Sequence, residues 1–318
     1  MNRPVTWVIG AGGLLGSSAA TAFSSAGPVW SPDGPIPWGT PDASSALVSA
    51  AHEFFSLVGD RAWQIAWCAG TGVVGSSADD LADEREAFGS LLAVVGRRPR
   101  ASARGVAFLA SSAGGVYAGS RGAPFDERTP VAATSAYGQS KLELERIATE
   151  WSRQSGVPFV LGRISNLYGP NQNLVKQQGL ISQICRSHLL GRPLSIYVSL
   201  DTLRDYLYVD DCGQLIVASL DRARREAVGA DQRVYCKVLA TQQAVTIGHL
   251  VAEFKRVVKS RPRVVFAASP NSRFQVRDLR LRSVVWPDLD RGTRTPLAAG
   301  IRHTIDGILR ALQAGSLT

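Results

Sequence analysis

Short, unbroken apolar runs alternate with longer amphipathic stretches through the first half of the chain. Residues 5–9 (VTWVI) are apolar almost throughout and lie between Pro4 and Gly10, the pattern of a strand covered on both faces. Glycines follow, and the spacing then predicts a helix over 14–24. A short second strand is predicted at 29–31 and a third at 35–38. In 43–58, Leu47, Ala50, Ala51, Phe54 and Leu57 recur at helical intervals and fall on one face. Apolar runs at 64–68, 106–110 and 158–163 read as further strands, separated by helices at 79–95 and 135–155. Strands alternating with helices predict an α/β fold with a parallel sheet covered on both sides. The second half is less regular. Helices are predicted at 180–190, 212–224, 247–259 and 297–312, with short strands at 194–198, 234–238 and 264–267. No internal repeat and no long Pro, Gly or Ser linker divides the chain.

Composition narrows this picture. The 318 residues are 45% hydrophobic and 19% charged, which excludes disordered, collagen-like and coiled-coil chains. The four cysteines (Cys68, Cys185, Cys212, Cys236) contain no CxxC pair, so neither a disulfide scaffold nor a zinc ribbon is expected. Net charge is +9, from 30 Arg and 5 Lys against 26 acidic residues, but no Arg run exceeds two. The basic cluster at 255–263 reads as a solvated helix face. Without aromatic interleaving or a recognisable module, no nucleic-acid partner is expected. The four histidines (His52, His188, His249, His303) have no metal-ligand spacing. Asp210-Asp211 lacks a third ligand and reads as a helix start, so no metal is expected. From Pro4 to Pro32 there is no charged residue, yet five glycines interrupt this stretch. That argues against a signal peptide or membrane span, and a cytoplasmic protein without membrane insertion is expected.

Two motifs carry chemistry. Gly10-Ala11-Gly12-Gly13-Leu14-Leu15-Gly16 follows a strand and opens a helix, with G-x-x-G-x-x-G spacing through Gly10, Gly13 and Gly16. Unpaired N–H groups and partial positive charge at a helix N-terminus suit a pyrophosphate, and glycine lets the backbone approach it. In Tyr137-Gly138-Gln139-Ser140-Lys141, the phenol and ammonium lie four residues apart on one helix face. A cation beside a phenol favours the phenolate, and such a group can pass a proton to or from a hydroxyl or carbonyl.

With these motifs the chain resembles the extended short-chain dehydrogenase/reductase family, the NAD-dependent nucleotide-sugar epimerases and dehydratases. Three further segments carry the resemblance: Ser111-Ser112-Ala113-Gly114-Gly115-Val116-Tyr117, the stretch from Gly162 to Pro170, and the stretch from Arg204 to Asp211. The resemblance implies a Rossmann-type doubly wound parallel sheet over 1–165, with 200–225 returning to it. It assigns 166–318 to a smaller α/β substrate-binding portion. It implies Tyr137 as acid/base and Lys141 as holder of the nicotinamide ribose. Leu14, Leu15, Ala69, Gly70 and Ile164 would line the cofactor beside the glycines. Asn166 and Arg204 would meet the substrate diphosphate, joined by Arg273 or Arg277, and Ile196 would flank the nucleotide base. A guanidinium suits that role because its fork binds two oxygens. The resemblance also implies a homodimer through the helices at 79–95 and 135–155.

Three departures bear on function. Relatives carry Ser or Thr four residues before the tyrosine of the Val-Tyr pair, where this chain has Ala113; Ser112, with Ser111 behind it, is the nearest replacement hydroxyl. Dehydratases place an Asp-Glu pair where this chain has Gly114 and Gly115, which argues against a 4,6-dehydratase. An acidic residue ordinarily ends strand two and binds the adenosine ribose. Here only Asp33 is available, slightly late, and no Arg or Lys lies between Arg3 and Arg61 to clamp a 2′-phosphate. NAD is therefore expected over NADP. The expected activity is epimerisation of a nucleotide-diphosphate sugar at C4. The alternatives are a 4-ketoreductase of a 4-keto-6-deoxy sugar and, in another class, a dinucleotide-binding sensor or scaffold without catalysis.

Overall fold

A computed structural model describes residues 3–70, 72, 76, 81–96, 104–174, 179–260, 263–267 and 276–315. In chain order it contains β1 (Val5–Ile9), α1 (Leu14–Ala26), β2 (Val29–Trp30), α2 (Ala43–Val58), β3 (Trp63–Trp67), α3 (Ala82–Gly96) and β4 (Gly105–Ser112). A single helical turn (Ala113–Val116) leads to α4 (Ala136–Ser155), β5 (Phe159–Ile164), β6 (Asn166–Tyr168), α5 (Leu180–Leu189), β7 (Leu194–Ile196), β8 (Leu203–Arg204) and β9 (Tyr206–Tyr208). Then come α6 (Val209–Glu226), β10 (Val234–Leu239), β11 (Val245–Thr246), α7 (Ile247–Val258), β12 (Val264–Phe266), β13 (Asp278–Leu279) and α8 (Leu297–Gln313).

The main sheet has six strands in the order β2-β1-β3-β4-β5-β10, and every neighbouring pair is parallel. Strand alternation distributes side chains between two cores. From β1, Val5, Trp7 and Ile9 enter the cluster under α2, α3 and α4, together with Phe54, Phe88 and Leu144. Val8 enters the opposite cluster with Phe23 of α1 and Leu215 and Ile216 of α6. The sheet is thus doubly wound, as the alternating pattern predicts. Burying each such large side chain is worth about 1.5–3 kcal/mol, so the two layers hold the sheet from both sides. On α2, Leu47, Ala50, Ala51 and Phe54 are buried as predicted, but Leu57 is 51% exposed, and Phe55 and Val58 complete the face instead.

The third strand expected at 35–38 does not form; this stretch is irregular. Pro35 and Pro37 have no N–H to give to a ladder, and β2 is held to two residues between Pro28 and Pro32 for the same reason. The other predicted elements agree to within a few residues, whereas the short strands β6, β8, β9, β11 and β13 are not predicted by the apolar pattern. The expected start of α6 at 212 moves to Val209, so Asp210 and Asp211 lie in its first turn. Asp210 accepts from Ser18 Oγ (2.8 Å), and Asp211 accepts from Thr295 N (2.7 Å). Among the described residues no cluster of potential metal ligands occurs, the four cysteines are unbridged, and no helix is long and apolar enough to cross a membrane.

The second half builds smaller sheets, β11-β8-β13, β12-β7 and β6-β9, around a core of α5, α7 and α8 that includes Ile181, Phe254, Ile301 and Tyr168. It also supplies β10 to the main sheet. Lys237 on β10 is fully buried, and its ammonium is satisfied by Ser283 Oγ (2.9 Å), Val285 O (2.8 Å) and Asp290 Oδ2 (2.9 Å). Glu127 accepts from the backbone N–H groups of Val238 and Val284, both at 2.8 Å, and so ties three segments together.

Candidate active site

The chain leaves β1 at Gly10, whose φ of +87° favours glycine. A side chain there would lie 2.7 Å from Ala69 Cα, at the end of β3. One at Gly16 would collide with the Gly10 carbonyl. These two glycines let α1 start against the ends of two neighbouring strands. Gly13 caps α1 without a side-chain hydrogen bond, and the first turn holds no acidic residue. The first amides of α1 therefore face outward at the carboxyl edge of the sheet, where the strand order reverses between β1 and β3. Ligands of open α/β sheets occupy that position, and the cradle fits a pyrophosphate. Leu14 and Leu15 open the helix, Leu15 facing the core. Asp33, past the end of β2, is exposed.

Tyr137 stands in the first turn of α4. Ser135 caps this helix by accepting from Gly138 N (3.1 Å). A side chain at Gly138 would meet the Gly115 carbonyl, so glycine there lets α4 close onto the turn 113–116. The Tyr137 ring is gripped on two edges. A Cβ at Gly115 would lie 3.1 Å from its Cε1, and one at Gly72 would lie 3.2 Å from its Cδ2. Lys141 Nζ sits 5.8 Å from the ring centroid. The same ammonium donates to Glu84 Oε1 of α3 at 2.7 Å, and both side chains are more than nine-tenths buried. Burial works against the Lys141 charge, but the Glu84 carboxylate more than offsets it, and Lys141 titrates above the usual lysine value. Among the described residues, Glu84 Oε2 is buried without a partner, beside Gly70 at the end of β3. No sequence motif singles out Glu84. Along the chain it is one charge among Asp83, Arg85 and Glu86 at a helix start.

Ser112 ends β4 and caps the following turn, its Oγ accepting from Gly115 N at 3.2 Å. That bond uses a lone pair, so the hydroxyl keeps a proton to donate. Ser111 is buried, and its hydroxyl donates to Glu145 Oε1 (2.6 Å). Glu145 also accepts from Arg163 Nε (3.1 Å) and Nη2 (2.7 Å), while Arg163 Nη1 donates to the Tyr117 hydroxyl (2.9 Å). The Ser111 proton is thus held by an internal ionic network. The methyl of Ala113 is buried in an apolar cluster with Val116, Tyr117, Phe125 and Leu279.

On the other side, Asn166 opens β6 and donates through Nδ2 to Asp205 O (3.1 Å). Arg204 is 8% exposed and donates to Leu203 O (2.8 Å). Burial draws its guanidinium below the usual arginine value, against the opposing influence of Tyr206 and Asp278. Pairing of β6 with β9 sets Asn166 opposite Tyr206, two residues from Arg204. Ile196 (2% exposed) and Ile164 (5% exposed) are core side chains at the ends of β7 and β5. Arg277 donates to Asp201 at the surface, whereas Arg273 lies outside the described residues. The structure therefore brings Gly10, Gly16 and Ala69 together, and separately Gly70, Gly72, Glu84, Gly115, Tyr137 and Lys141. The glycine cradle and the unpartnered oxygen of Glu84 both fit a dinucleotide laid across the carboxyl ends of β1, β3 and β4.

Comparison with known proteins bears on the fold and the family. The chain is 32% identical over 97 residues to dTDP-L-rhamnose 4-epimerase of Burkholderia thailandensis, covering 30% of this chain and 27% of that protein. It is 38% identical over 87 residues to dTDP-glucose 4,6-dehydratase of Salmonella typhimurium, covering 27% of this chain and 23% of the relative. These alignments span about a quarter of the relatives' length. The fold matches UDP-glucose 4-epimerase of Thermotoga maritima solved with UDP-glucose, with a TM-score of 0.78 at 17% identity over 97% of this chain and 99% of that one. It also matches MoeE5 solved with UDP-glucose and NAD, with a TM-score of 0.77 at 20% identity over the same shares. The profile of the NAD dependent epimerase/dehydratase family matches residues 51–234, more than half of the sequence, and the chain belongs to that family.

Proposed function

We propose that this protein is an NAD-dependent epimerase of a nucleotide-diphosphate sugar, acting at C4. The observation that carries the reading is the Tyr137 phenol, fixed between Gly72 and Gly115 with the Lys141 ammonium beside it, next to a glycine cradle for a dinucleotide. A bound nicotinamide supplies a reversible hydride acceptor. Gly10, Gly13 and Gly16 let the α1 amides hold the pyrophosphate. The Tyr137 oxygen takes the proton of the sugar hydroxyl as the carbon is oxidised and returns it after the keto sugar has turned over. Lys141 stabilises the phenolate that exists before the first transfer and again after the second. Ser112 has a proton to offer the same sugar oxygen. Asn166 and Arg204 meet the substrate diphosphate, and two copies pair across α3 and α4.

Among the activities in the family, elimination is disfavoured. It needs an acid and a base where this chain has Gly114 and Gly115, and the space at Gly115 is taken by the Tyr137 ring. The test is incubation of purified protein with UDP- and dTDP-hexoses without added cofactor, followed by NMR. Inversion at C4 supports the epimerase; strict stoichiometric consumption of added NADH or NADPH by a keto sugar replaces it with the reductase. Tyr137→Phe should lower turnover at least ~10²-fold, the lower range for general acid–base catalysis, while cofactor still binds. Unchanged turnover in that variant removes the mechanism.

A further inference from the structure

Glu84 has no part in the catalytic cycle just described, yet it occupies the centre of the site. The glycine loop follows β1, so one nucleoside of a dinucleotide lies towards β2 and the other over the ends of β3 and β4. Gly70, Glu84 and the Tyr137–Lys141 pair gather at that second position. Glu84 Oε1 receives the Lys141 ammonium at 2.7 Å, and Oε2 is buried with no donor among the described residues. Both oxygens lie beside Gly70, whose φ is +141°; a side chain there would come within 3.0 Å of Oε1 and 3.2 Å of Oε2. Glycine keeps that space open. A buried carboxylate oxygen without a donor is costly, and such an atom beside the carboxyl ends of the strands points to a ligand that completes it. The missing group must be a hydrogen-bond donor, and it cannot be a phosphate, which the carboxylate repels. Of the parts of a dinucleotide, a ribose diol meets both conditions.

We propose that Glu84 is a cofactor-binding residue that accepts a hydrogen bond from a hydroxyl of the nicotinamide ribose, while Lys141 donates to the same diol. This rests on the proposed function, in that it takes the ligand to be a nicotinamide dinucleotide. Its other consequence is positional. The carboxylate holds the Lys141 ammonium from the side of α3, so the ribose and the phenol are placed by one ion pair.

The experiment is titration calorimetry of the purified full chain with ADP, ADP-ribose and NAD, for wild type and Glu84→Gln. ADP lacks the distal ribose; ADP-ribose has it without the nicotinamide. The expected result is a loss of affinity of at least tenfold for NAD and ADP-ribose with ADP unchanged. A hydrogen bond to a charged group is strong enough for a loss of that size. Glu84→Asp keeps the charge opposite Lys141 and draws the carboxylate back by one methylene; it should fold as the wild type does and show part of the same selective loss. It therefore decides the matter if Glu84→Gln is unfolded. Unchanged ADP-ribose affinity, or equal weakening of all three ligands, overturns the role of Glu84 and leaves the proposed function standing. A wild type that binds none of the three overturns both.

Discussion

The two ends of the proposed cofactor site are built differently. At the β2 end the strand is two residues long, prolines interrupt the segment after it, and the acidic side chain available, Asp33, is exposed. At the β3–β4 end, Glu84 and Lys141 form a buried ion pair, and the Tyr137 ring is packed against two glycines. An exposed carboxylate is screened by water and positions little. A buried pair has lost its hydration and is fixed in one geometry. Electrostatic organisation is therefore concentrated at the β3–β4 end beside Tyr137, and the β2 end is left to backbone amides and shape.

Three substitutions probe this contrast, and the largest effect should come from Lys141→Met. It leaves Glu84 buried and unpaired, a loss of about 3–5 kcal/mol for breaking a buried pair, read as a lower midpoint in chemical denaturation. A midpoint equal to that of wild type would mean that this end is as wet as the other. Next, Gly115→Ala pushes a methyl against the phenol. Overpacking of this kind costs about 1–3 kcal/mol, and a roughly tenfold fall in kcat with unchanged NAD affinity is expected. Loss of NAD affinity instead would place the disturbance in the cradle. The smallest effect belongs to Asp33→Asn. Stability should stay within about 0.5 kcal/mol and NAD affinity within about threefold, measured by calorimetry. A larger loss would show that the β2 end does have an acidic anchor.

The contrast also explains what the sequence could reveal. The glycine spacing and the Tyr137–Lys141 pair are local, because both are set by one turn or one helix face. The doubly wound sheet is legible in apolar runs alternating with amphipathic ones. Glu84 is hidden because its meaning depends on Lys141, 57 residues away, and its neighbours look like an ordinary acidic helix start. Ser111 looks like a candidate site hydroxyl beside Ser112, yet successive strand residues face opposite sides, and its proton goes to Glu145 within the protein. Lys237 is a cation inside an apolar strand, and only the arrival of residues 283–290 accounts for it. The strand expected at 35–38 fails for a reason written in the sequence, its two prolines, which the apolar pattern alone passes over.

Lys237 has a consequence for how the gene can be cut. The last strand of the main sheet comes from the second half of the chain, and the ammonium on it is neutralised by Asp290, further on still. A fragment ending near residue 165 would leave β5 as a bare edge, ready to pair with a neighbour. One ending near 250 would strip Lys237 of Ser283, Val285 and Asp290, the three groups that satisfy its ammonium. The first half cannot be moved into another protein as a cassette, and fusions or split versions of this chain must keep it continuous beyond 290.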